Sequence, residues 1–70
     1  MTPLQQLIFD YILLNQPICD KCISIGLGYA HNQNANTPCR DLRNLGSILR
    51  IIGYCERCNR NVILNSINNL

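Results

Sequence analysis

Apolar positions recur at helical spacing from the start of the chain. In "TPLQQLIFDYILLN" they are Leu4, Leu7, Ile8, Tyr11, Ile12 and Leu14. Thr2 can cap this helix, Pro3 suits its first position, and Gln5 completes a capping box. Asn15 and Pro17 end it after about three turns. In "PICDKCISIGLGY" Pro17 and Ile18 read as extended. Cys19 or Asp20 then caps a short helix running to about Leu27, with Gly28 as its stop.

"AHNQNANTPCRDLRNLG" predicts a third helix with Ala35, Cys39, Leu42 and Leu45 as one buried stripe, closed by Gly46. Gln33, Asn36, Thr37, Arg40 and Asn44 fall on the other face. Proline inside a helix costs roughly 3 kcal/mol. Either the helix kinks at Pro38, or it starts there with Thr37 as the cap. Beyond it, "SILRIIGYCERCNRNVILNSI" reads as two β-rich runs, 47–54 and 61–67, joined as a hairpin across a cysteine pair. Residues 68–70 read as a frayed tail. The pattern predicts an α+β fold in one domain, 1–70: helix, short helix, helix, hairpin.

Composition narrows the class. Seventy residues make a thin core, and domains this small often depend on a metal, disulfides or a partner subunit. With no tryptophan and one phenylalanine, that core must be Ile and Leu. No apolar run reaches the length of a membrane span, and no basic segment followed by an apolar stretch marks a secretory leader. The expectation is a cytoplasmic protein without a membrane segment.

Five cysteines in a reducing setting point to metal ligation rather than disulfides. Cys19-Asp-Lys-Cys22 and Cys55-Glu-Arg-Cys58 are two C-x-x-C pairs. Such a gap lets a tight turn aim both sulfurs at one ion, and a structural Zn2+ takes four ligands in a tetrahedron. Cys19, Cys22, Cys55 and Cys58 are therefore the expected zinc ligands, one ion per chain. Asn59 follows the second pair where the turn often needs a left-handed residue, which Asn tolerates. Four thiolates and one divalent ion carry −2 together, which cancels the formal charge of +2. Residues 40–60 stay basic nonetheless, holding Arg40, Arg43, Arg50, Arg57 and Arg60 against Asp41 and Glu56.

Cys39 lies on the apolar stripe and reads as core, and His31 as a surface residue near a helix start. A Cys39–His31 nucleophile pair has no third group to orient it. The acids are scattered, no Gly-rich phosphate loop is present, and a four-cysteine site leaves zinc no open position. The expectation is a non-enzyme.

The order of elements is that of a winged helix-turn-helix domain. The sequence also resembles a family of small bacterial and phage winged-helix proteins carrying four zinc-binding cysteines. The resemblance rests on "CDKCIS" at 19–24, "LG" at 27–28, and the series Gln33, Asn36, Cys39, Arg40 and Leu42. It continues in "G.I.R..G.C..C" from Gly46 to Cys58, and covers about three quarters of the chain. It implies that the third helix is the recognition helix, that the hairpin is the wing, and that zinc ties the wing to the start of helix two. Pro38 departs from the pattern.

On that reading Gln33, Asn36, Thr37 and Arg40 face base edges, since Asn and Gln pair with adenine and Arg with guanine. Arg43, Arg50, Arg57, Arg60 and Lys21 contact phosphates. The bland alternative is a solvated helix face. Two functions follow: a duplex-DNA-binding transcriptional regulator, or a zinc-stapled protein–protein adaptor of the same fold. A homodimer suits both, with Ile8, Phe9 and Leu13 of helix one as its surface.

Overall fold

A computed structural model of the chain describes residues 1–28 and 35–68. The elements run α1 (Pro3–Asn15), β1 (Ile18–Cys19), α2 (Asp20–Gly26), α3 (Asn36–Asn44), β2 (Ile48–Cys55) and β3 (Arg60–Ile67). The result is an α+β fold: three helices and a three-stranded antiparallel sheet in the order β1-β3-β2.

α1 begins as its sequence dictates. The Thr2 hydroxyl accepts from the Gln5 amide at 3.1 Å, and the Gln5 side chain accepts from the Thr2 amide at 3.0 Å. This reciprocal cap satisfies two backbone donors that a helix start otherwise leaves bare. The helix buries a narrower stripe than its apolar spacing suggests. Ile8 and Ile12 are fully buried, whereas Leu4, Leu7, Leu13 and Leu14 are exposed. Ile8 is thus core rather than dimer surface, and Phe9 packs partly buried against that core.

The extended step at Ile18 is a short strand. Ile18 pairs with Asn65 and Cys19 with Leu64, so β3 becomes the central strand. Two residues give no periodicity, which is why sequence spacing shows an extended step and not a strand. Cys19 then caps α2, and Leu27 closes it. Gly28 and Gly46 follow α2 and α3 at φ 74° and 78°, the left-handed turn that stops a helix and that glycine adopts without strain.

α3 resolves the proline. Ala35 is its N-cap, so Pro38 sits in the first turn, and the first intrahelical bond runs from the Cys39 amide to the Ala35 carbonyl at 2.9 Å. An amide at Pro38 would have had no intrahelical acceptor, so the missing donor costs nothing and no kink is needed. Ala35, Cys39 and Leu42 are buried as the stripe requires. Leu45 lies just past the helix end and turns outward, 60% exposed.

Ile8, Ile12, Ile18, Ile23, Ala35, Cys39, Leu42 and Ile48 form one core, drawn from all three helices and two strands. The hairpin is one residue longer at its turn end than expected on each strand. The Asn68 amide donates to the Ser47 carbonyl at 3.2 Å and its side chain to the Gly46 carbonyl at 3.0 Å. Asn68 is therefore a paired residue and not a frayed one. Among the described residues no helix is long and apolar enough to cross a membrane.

Candidate metal centre

The two C-x-x-C pairs converge. The Cys19 and Cys58 sulfurs lie 3.6 Å apart, those of Cys22 and Cys55 3.8 Å apart, and all four fall within 4.8 Å of one another. A tetrahedron of sulfurs about 2.3 Å from a central metal has an edge of about 3.8 Å. The four thiols are free and already hold the spacing that a metal ion would take. Disulfide sulfurs would sit near 2 Å.

Each pair is placed by a different local device. Cys19 and Cys22 occupy the cap and the first turn of α2, where a helix start turns backbone amides outward. Cys55 ends β2 and Cys58 lies in the turn that follows. That turn closes with the Asn59 amide on the Cys55 carbonyl at 2.7 Å, and Asn59 takes φ 56°. The Tyr54 hydroxyl donates to the Asn59 side chain at 3.0 Å, and Arg57 donates to Asn15 at the end of α1 at 2.8 Å. Cys19 and Cys55 are buried, while Cys22 and Cys58 form the half-exposed rim.

The thiols differ in acidity. Burial raises Cys55, but the backbone amides of Cys58, Cys19 and Arg57 outweigh it and bring the thiol down to about 6. The Arg60 side chain lowers Cys58. Burial raises Cys19 and Cys22, and neighbouring thiols raise Cys22 further. The hairpin pair is thus the more acidic of the two, and metal binding favours the thiolate form of its ligands.

Behind the cluster lies a buried polar network. Asp20, between the two helix ligands, receives both guanidinium nitrogens of Arg50 at 2.8 and 3.0 Å. Arg50 also donates to the side chains of Asn65 at 2.9 Å and Asn36 at 3.2 Å. Asn65 is fully buried and donates to the Ile18 carbonyl at 2.9 Å and to Asp20 at 2.8 Å. Ser24 adds a second link, accepting the Ala35 amide at 2.8 Å and donating to the Asp20 carbonyl at 3.1 Å. The start of α3 is thus fastened to the helix that carries two of the thiols.

The other expected contacts divide. Arg50 is not a surface cation: its side chain is 4% exposed and its donors are taken inside the fold. Asn36 is half-buried with its oxygen turned to Arg50, so it does not project with the outer face of α3. Thr37, Arg40 and Arg43 are exposed on α3, Lys21 and Arg57 lie beside Cys22 and Cys58, and Arg60 interacts with Cys58. Gln33 and His31 lie outside the described residues. Cys39 is fully buried, its thiol pushed up to about 12 by burial and by Asp20, as a core residue and not a nucleophile would be. Sequence reasoning missed Asn65 and the inward turn of Arg50. Strand parity carries both, since Arg50 alternates in phase with buried Ile48 and is paired with Asn65.

Together these features define a small α+β protein with a four-thiol site able to hold a metal ion. Comparison of the chain with protein-family models, with curated proteins and with solved structures finds no match.

Proposed function

We propose that this chain is a winged helix-turn-helix DNA-binding protein, a small transcriptional regulator and not an enzyme. In this reading a structural zinc ion braces the hairpin wing against the start of α2. The observation that carries it is the outer face of α3. Thr37 and Arg40 are exposed there with no hydrogen-bond or ion-pair partner among the described residues, and Arg43 stands beside them. The helix–strand–helix–helix–hairpin order and the clamp on the start of α3 support a presented recognition helix. Thr37 and Arg40 take the base-reading role. Arg43, Lys21, Arg57 and Arg60 take phosphates. Zinc suits four thiolates at this spacing better than hard cations that prefer oxygen, and reduced thiols suit the cytoplasm.

The test is selection of duplex DNA from a random library at low salt, with the zinc-loaded protein. A recovered site should bind with a steep salt dependence, each phosphate contact contributing about one to the slope. Arg40→Ala should relax sequence preference, and Arg43→Ala should weaken all sequences alike. No binding to any duplex at low salt sinks the proposal.

A second reading, the zinc-stabilised protein–protein adaptor, has its own support. The hairpin exposes Ile51, Ile52, Tyr54 and Ile63, a more apolar surface than a wing on phosphates calls for.

A further inference from the structure

β2 is an edge strand. The sheet order β1-β3-β2 leaves one of its sides without a partner strand among the described residues. Its direction of hydrogen bonding follows from the ladder. The Asn68 amide donates to Ser47, which stands opposite it in the register that pairs Ile48 with Ile67. Bonded pairs alternate in an antiparallel ladder, so Leu49, Ile51 and Gly53 turn their amides and carbonyls to β3. Arg50, Ile52 and Tyr54 therefore turn theirs to the free edge.

Natural sheets blunt such an edge with lysines, prolines, bulges or a covering segment. "ILRIIGYC" has no proline, and its one charged residue, Arg50, points inward and is neutralised by Asp20. The strand is also apolar on both faces. Ile52 and Tyr54 are 75% and 54% exposed on one, and Ile51 and Leu49 are 63% and 40% exposed on the other. Ile63, paired with Ile52, widens the first face.

We infer that β2 pairs antiparallel with β2 of a second copy of this chain, joining two three-stranded sheets into one of six strands. Antiparallel pairing of identical strands is what a two-fold axis normal to the sheet generates, and it keeps each face continuous. A register centred on Ile51 or Ile52 places both isoleucines at the axis. A partner strand on that edge covers the flanks of Leu49, Ile51, Ile52 and Tyr54, at most roughly 450 Å2 per copy and about 900 Å2 in total, the small end of specific interfaces. That is at most about one-tenth of the chain's 4538 Å2. The leucines of α1 offer side chains without a free backbone ladder, so the hairpin edge is the better self-complement.

The test is sedimentation equilibrium of the zinc-loaded chain from low micromolar to near-millimolar concentration, with amide exchange at both ends of that range. The wild type should dimerise, and the amides of Arg50, Ile52 and Tyr54 should gain protection with concentration. Ile52→Lys should weaken association about a hundredfold, because it sets like charges together near the axis. Ile52→Asp should do the same, and mixing the two variants should restore the dimer as a heterodimer. Leu14→Lys, on the exposed face of α1, should leave association unchanged. A wild type that stays monomeric, or a dimer lost in Leu14→Lys and kept in Ile52→Lys, overturns the inference. Neither result depends on whether the chain binds DNA.

Discussion

Arg50 and Asp20 meet side by side, two guanidinium nitrogens on two carboxylate oxygens at 2.8 and 3.0 Å, although thirty residues separate them. Arg50 is 4% exposed and Asp20 21%. The pair joins the edge strand β2 to the start of α2, where Cys19 and Cys22 stand. Breaking a buried pair from one side strands the other charge, which costs about 3 kcal/mol, less what water recovers at the partly buried Asp20. Arg50→Met should therefore lose about 2 kcal/mol of stability in urea titration at saturating zinc. The double variant Arg50→Met, Asp20→Leu should lose less than the two single changes combined. Additive losses would show that the two side chains do not act as a pair.

Metal removal should be felt throughout so small a core. Chelation of the loaded protein should abolish its cooperative thermal transition, and zinc should restore it. Serine at Cys19, Cys22, Cys55 or Cys58 should each cut metal retention in native mass spectrometry, whereas Cys39→Ala should keep one ion per chain. Full zinc binding by any of the four serine variants would remove that residue from the ligand set.

Cys39 supplies a pH signature. Its folded-state thiol is raised to about 12 from an ordinary 9.0, so the fold favours the neutral form. That contribution is complete below pH 9 and is lost as pH rises from 9 through 12. By pH 10 the wild type should lose about 1 kcal/mol relative to its own value at pH 8, beyond any loss in Cys39→Ala. Parallel pH profiles for the two proteins would refute this.

Pro38 offers a test of helix position. A mid-helix proline would cost about 3 kcal/mol, so replacing it would stabilise the protein markedly. In the first turn of α3 it only stiffens the unfolded chain, and Pro38→Ala should lose about 0.5 kcal/mol. A gain of stability in calorimetry would place the start of the helix earlier than Ala35.

Much of this arrangement can be read in the chain because it rests on local chemistry. The Thr2–Gln5 cap, the glycine stops, the hairpin and the left-handed Asn59 each follow from a few neighbouring residues. The four-thiol cluster follows from paired spacing, since two turns that each aim two sulfurs leave few other ways to be satisfied. What spacing does not carry is long-range and polar. Arg50 looks like a surface cation until the fold brings Asp20, Asn65 and Asn36 around it. Leu14 and Ile52 look like core by composition, yet a 70-residue chain lacks the interior to hold every apolar side chain.

The thiol cluster also changes what kind of object the chain is. The candidate ligands stand at 19–22 and 55–58, so a bound ion would close the intervening polypeptide into a ring, with α1 before it and β3 after it. A single proteolytic cut between Cys22 and Cys55 would open that ring without parting the pieces. Two fragments would then travel as one particle and separate only once the ion is withdrawn.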